Sequence, residues 1–267
     1  MYAVTGRGPG EAHAAAAPPE GAWPEPIAAP DLASLPPAQL EAMRAAAREI
    51  LECRRVLAKG GLNIVGEVLR GQGVFYENNH YPENDVYDAQ THAQYYYHAH
   101  RAGEHGHFHT FMRRAGMPPG IAPLACPHAE PWPDGNEALA HLIAISMDAY
   151  GEPIGLFAPN RWVAGDTWFA ARDTIAMLDG FRVDHAYPSW PVNRWLGALF
   201  VLYRPHIEAL LLERDRAIAA WRARLPLEDV LERRDIETLS YLPISVDDTI
   251  AVLDPTLTPQ CRLRSAL

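Results

Sequence analysis

The pattern of apolar and polar positions divides the chain into blocks of different period. Leu40, Met43, Ala47, Ile50, Leu51 and Leu57 recur at helical spacing. They follow Pro36 and Pro37, and proline is tolerated in a first helical turn. This predicts a helix to about residue 58, broken by Gly60 and Gly61. Residues 62–69 predict a second short helical piece, closed by Gly71 and Gly73. Residues 76–92 are polar and read as an ordered loop. Residues 93–113 read as two strands, and a Pro- and Gly-rich loop follows over 115–137. A loop that long inside a compact domain is often functional. Residues 139–148 and 154–158 predict a second hairpin about Gly151.

In the C-terminal half, Asp166 is placed to cap a helix over 167–179, ended by Gly180. Residues 181–188 read as a short strand or loop. Ser189 and Pro191 start a long helix to about Arg224, with Trp195, Leu199, Leu202, Leu210, Leu211, Ile218 and Trp221 on its apolar stripe. Pro205 predicts a kink near Val201–Tyr203. A short helix over 227–233, an extended segment and a helix capped near Ser245 complete the pattern. Residues 1–36, rich in Ala, Pro and Gly, read as a mobile arm in which Trp23 could dock locally. The expected organisation is one α+β domain over 37–254, with a tail at 255–267. In it a small antiparallel sheet is packed by N- and C-terminal helices.

Composition narrows the function. A formal net charge of -10 argues against a nucleic-acid surface and fits poorly with anionic membranes. No run of about 18 apolar residues predicts a membrane span. The N-terminus lacks the basic start and apolar core of a secretory signal. Cys53, Cys126 and Cys261 are far apart and odd in number, which argues against a disulfide framework. A cytoplasmic protein with a small-molecule substrate is the expectation. GxGxxG, P-loop, GxSxG and HExxH motifs are all missing from the sequence, which removes the commonest nucleotide, hydrolase and zinc-protease readings.

The informative chemistry is histidine. Seven of the 12 histidines lie between positions 80 and 109. Strand side chains alternate faces, so His98 and His100 share a face with Tyr96. His105, His107 and His109 likewise share one with Phe111. A two-residue turn at Gly103-Glu104, or a four-residue loop over 102–105, pairs His100 with His107 and His98 with His109. Four imidazoles then project from one face of one hairpin. Glu104 could complete the set, although a turn position can aim it at water. Imidazole suits iron, copper, zinc or nickel, so His98, His100, His107 and His109 are the candidate ligands of a transition metal. Two or three of them are expected to ligate. Tyr96 and Arg101 are the candidate catalytic neighbours.

Competing readings stand beside this one. The histidines could form a metal-free polar pocket for an anion, or line a solvated strand. With metal bound, the protein could be a non-haem oxidoreductase, or store or deliver metal without turnover. A deep pocket walled by Trp162, Trp190 or Trp195 would favour the enzyme, and an exposed histidine face would favour storage. Arg161 could anchor an anionic substrate, though a capping role is the simpler reading. His141 could add a ligand if its strand neighbours the hairpin, but a buried histidine bonded to backbone is the more common case. His185 beside Asp184, His206 after Pro205, and Cys126-Pro-His128 are weaker candidates.

His98-Ala-His100 followed by Glu104 resembles the HxHx3E spacing of the first cupin motif. Cupins are β-barrels that hold iron, manganese, zinc or nickel with three histidines and a carboxylate, so the resemblance implies metal chemistry at these positions. His92 stands where that motif has glycine, and no second motif follows, so the likeness is one of local chemistry and not of fold. EHGHFHTF, SMDAYGEPIGLF and NRWVAGDTW also look like an uncharacterised family of bacterial proteins, which implies no particular activity.

Overall fold

The computed structural model describes residues 23–125, 132–133 and 135–257. The fold is α+β. Helix α1 spans Pro37–Lys59 and buries Met43, Ala46, Ala47, Ile50, Cys53 and Leu57 on one face before Gly60 ends it. The short α2, Ile64–Val68, is capped by Asn63, whose side chain accepts from the Gly66 N–H. Six strands follow a simple meander: β1 (Tyr81–Tyr87), β2 (Ala93–His98), β3 (Gly106–Arg113), β4 (Leu139–Met147), β5 (Pro153–Pro159) and β6 (Thr238–Pro243). Each is antiparallel to the next, so spatial order equals chain order.

Between β5 and β6 the chain forms helices α3 (Arg161–Ala164), α4 (Ala171–Met177), α5 (Trp190–Leu202) and α6 (Arg204–Arg224). Helix α7 (Val246–Leu253) closes the described fold, with the Ser245 hydroxyl capping it at the Asp248 N–H. One face of the sheet carries Tyr95, Tyr97, Phe108, Met112, Ile143, Ile145 and Leu156, all fully buried. These join Trp195, Leu199 and the α1 stripe in one core. The Tyr95 hydroxyl donates to Asn193 Oδ1 at 2.5 Å, which ties β2 to α5. On β6 the Ser240 hydroxyl donates to the Leu210 carbonyl of α6 at 2.8 Å. All these helix contacts lie on one face, and His98, His107, His109 and His141 lie on the other.

Several expectations are corrected. The loop expected over 76–92 contains β1, hidden by its polar sequence YPENDVY and by an irregular register against β2 between Tyr81 and Val86. Edge strands tolerate such breaks, since only one side must pair. Asp166 does not cap a helix: it is buried and accepts from the His141 backbone N–H, and α4 begins four residues later than expected. Asn160 caps the unforeseen α3 instead. The expected kink near Val201–Tyr203 is a full break, with α5 and α6 meeting at 72° around Tyr203. The helix expected over 227–233 is a single 3-10 turn, Val230–Glu232. Among the described residues no single helix is long and apolar enough to cross a membrane.

Of the expected N-terminal arm, residues 1–22 lie outside the described residues, and Trp23 and Ile27 pack on the fold. Trp23 packs against Phe157 and Tyr241 with ring centroids 4.9 and 4.4 Å apart. The Ile27 N–H donates to the Tyr241 carbonyl at 3.0 Å. This strap lies along β6, the last strand of the sheet, and pairs part of an edge that would otherwise be open.

Candidate metal centre

The histidine face is built by β2, β3 and β4. His98 pairs with His107, and Tyr96 with His109. The expected register paired His100 with His107 and His98 with His109, so the hairpin is shifted by two residues. An even shift keeps every side chain on its face, whereas an odd one would have turned the histidines into the core. The cause is the connection. It runs from Ala99 to His105, longer than either turn considered, and its side chains hold it inward.

Glu104 is the main inward tie. Its side chain is 1% exposed. Oε1 contacts His107 Nδ1, and Oε2 accepts from the Ser146 hydroxyl of β4. The alternative in which a turn position aims Glu104 at water is therefore wrong. His105 also departs from expectation. It lies on the opposite face, with Nδ1 2.8 Å from the Tyr97 hydroxyl and its ring against Phe75. Gly106 begins β3 where a Cβ would stand 2.5 Å from the His98 carbonyl oxygen, a close approach that only glycine permits.

His98, His100 and His107 each offer one nitrogen to a group whose atoms all lie within 4.8 Å of one another. His98 Nε2 and His107 Nε2 are 2.7 Å apart. Two nitrogens each about 2.1 Å from one ion stand about 3.0 Å apart at a right angle and about 3.4 Å at the tetrahedral angle. A few tenths of an ångström of side-chain movement would open the pair to an ion. His100 lies just beyond the end of β2, its ring 4.8 Å from that of His98 and 5.0 Å from that of His107.

Protonation favours ligation. Burial, then the Arg101 charge and His100, holds the His107 pKa well below the usual imidazole range. Burial likewise lowers His98, reinforced by His107 and His100, and lowers His100, reinforced by Arg101. The imidazoles are therefore neutral near pH 7. With its Nδ1 proton directed to Glu104, His107 presents the bare Nε2 lone pair to the group. Carboxylate-bound histidines of this kind are common around protein metals, where the partner fixes tautomer and raises basicity.

His109, the fourth candidate ligand, stands beside this group and outside it. Its Nδ1 is 2.8 Å from His141 Nε2, and its own Nε2 is buried without a hydrogen-bond partner among the described residues. His141 reaches this face through a bulge. Thr110 pairs with Ile143 and Phe111 with His141, so Leu142 is the extra residue. Regular alternation from Ile143 would have sent His141 into the core, and the bulge re-aims it. Burial pulls its pKa down to about 3.

Tyr96 lies where expected, its ring 5.1 Å from His98 and 5.2 Å from His109. His80, on the loop into β1, stacks on Tyr96 at 3.6 Å and lines a cleft of about 620 Å³ with Asp85, Gln94 and Arg113. The cleft escaped sequence reasoning because β1 did; the only hint was that His80 belongs to the dense run of histidines. Arg101 is also at the site, its side chain 5% exposed and paired with Glu237. The remaining candidates lie elsewhere. Arg161 bonds the Asp166 carbonyl and Glu232 and holds structure. His185 contacts the Tyr87 carbonyl, and His206 sits on α6 beside Tyr203. Trp162 donates to the Ile236 carbonyl, Trp190 is 44% exposed, and Trp195 is in the opposite core, so none of them walls the site. Trp23 and Phe157 do. Cys126 and His128 lie outside the described residues.

The fold and site define a meander sheet with helices on one face and a buried polyhistidine cluster on the other. Residues 44–244 match the family described as a domain of unknown function (DUF6969), and the chain belongs to it. It matches no curated protein and no solved structure.

Proposed function

We propose that this is a metal-binding protein in which His98, His100 and His107 hold one transition-metal ion, and that it acts as a non-haem metalloenzyme of oxidoreductase type on a small molecule. The observation that carries the reading is the three-nitrogen group, with His107 fixed by a buried carboxylate. Iron, copper, zinc and nickel all suit imidazole nitrogen. Three protein ligands leave coordination positions for water or substrate, as catalytic sites require. The ion would supply Lewis acidity or redox chemistry. The chain would supply orientation through Glu104 and an apolar wall through Tyr96, Phe111 and Phe157. Storage or delivery is the second reading. The burial of His98 and His107, 9% and 0% exposed, supports the enzyme over it.

The test is elemental analysis of untagged protein purified without chelator, beside a His100→Ala/His107→Ala double variant. The reading expects about one ion per wild-type chain and nearly none in a folded variant. Equal metal content in both would refute it, as would no metal in the wild type after reconstitution.

A further inference from the structure

Beside the histidine group lies a second cluster whose polar atoms can only donate. The Arg101 guanidinium is buried, with its carbon 4.6 Å from the Trp23 ring centroid and 4.5 Å from that of Phe157. Its Nη2 donates to Glu237. Among the described residues its Nε and Nη1 are buried without hydrogen-bond partners, and so is Trp23 Nε1. Guanidinium and indole nitrogens have no acceptor capacity. Burying such donors unpaired is costly, most of all on a charged group. A ligand oxygen that accepts would remove that cost, and an anionic oxygen would remove most of it.

The cluster adjoins the metal centre. Arg101 follows His100 directly in the chain. His107 and the guanidinium share the Phe157 ring, His107 with its centroid 5.3 Å away. The Glu237 carboxylate already balances one positive charge, which suits a monoanion better than a polyanion.

We infer that Arg101 and Trp23 form the anchor for a carboxylate group of the substrate, placing the rest of a small carboxylic acid toward His98, His100 and His107. The substrate class rests on the metal-centre reading; the anchor itself does not. Arg101 donates through Nη1 or through Nε, which lie on different edges of the guanidinium, and Trp23 donates through its indole N–H. Phe157 packs under the guanidinium and excludes water from it.

Calorimetric titration tests this, with acetate, its neutral isostere acetamide, and inorganic phosphate as probes, on the full chain at low chloride. The expected result is that acetate binds and acetamide does not. Arg101→Lys keeps the charge but loses the fork, and should weaken acetate at least tenfold with metal content unchanged. Trp23→Phe keeps the ring and the packing, and should weaken acetate severalfold. Acetate affinity that neither substitution changes overturns the anchor, and stronger phosphate binding overturns the carboxylate assignment. Failure of the metal reading is distinguishable. A wild type without metal that still binds acetate through Arg101 refutes the centre and keeps the anchor. A metal-loaded protein whose acetate binding ignores both residues does the reverse.

Discussion

The two faces of one sheet are built from the same strands and do opposite things. Tyr95, Tyr97, Phe108 and Met112 alternate with Tyr96, His98, His107, His109 and Phe111 along β2 and β3. The first set meets α5 and closes a dry core in which the Tyr95 hydroxyl has a partner. The second set, with His141, buries four imidazoles beside the half-buried His100, and among the described residues leaves His109 Nε2, Arg101 Nε and Nη1, and Trp23 Nε1 without partners. Buried polar groups in folded proteins are nearly always satisfied. Among the described residues the helix-packed core leaves the Trp195 Nε1 donor without a partner, whereas the histidine face carries four such atoms, which points to the second face as the one that binds.

Substitutions can break or sharpen that contrast. The largest stability effect is expected from Phe108→Ala, where a fully buried ring leaves a cavity: about 3–5 kcal/mol by chemical denaturation. The folded fraction should keep its ion, since Phe108 faces away from the histidines. Loss of metal from that fraction would mean the faces are coupled. Glu104→Gln should do the reverse. Losing the carboxylate behind His107 is expected to lower metal affinity about 10–100-fold, in chelator competition. The metal-free protein should lose no more than about 1.5 kcal/mol, because an amide can still bond His107 and Ser146.

Next in size is an effect away from both the sheet core and the site. Burial pulls the His206 pKa down to about 4. The unfolded chain takes up that proton near pH 6.5. The stabilisation is therefore complete above pH 6.5 and lost as pH falls through 4. Between pH 8 and pH 5 it amounts to about 2 kcal/mol. Asp166 runs the other way: burial raises it to about 6, so its contribution is present at low pH and lost as pH rises through 6. Urea titrations of metal-free wild type and His206→Asn at pH 8 and pH 5 should show that difference in acid sensitivity. The smallest effect is expected at His141, on the binding face but outside the triad. His141→Ala should change metal affinity less than about threefold, against the far larger loss for a ligand.

The sequence was most legible where one physical rule dominated. Alternation put His98, His107, His109 and Tyr96 on one face, and the even register shift left that conclusion intact. Pro205 marked the break between α5 and α6, and Ser245 marked the start of α7. Legibility failed where tertiary contacts override local pattern. Strand β1 exists because β2 offers it an edge, despite a sequence that reads as loop. The Leu142 bulge sent His141 to the face opposite the one alternation assigned. Glu104 turned inward because Ser146 and His107 await it, and neither is near it on a simple hairpin turn. Arg101 is held by Glu237, more than a hundred residues away, and packs on Trp23 from a segment that read as a separate arm.

The most direct measurement is a crystal structure of metal-loaded protein with an anomalous-scattering map at the absorption edge of the bound ion. The account predicts one peak about 2.1 Å from His98 Nε2 and His107 Nε2, with a His100 nitrogen completing the set. A peak held by other residues, or none on this face of the sheet, would contradict it.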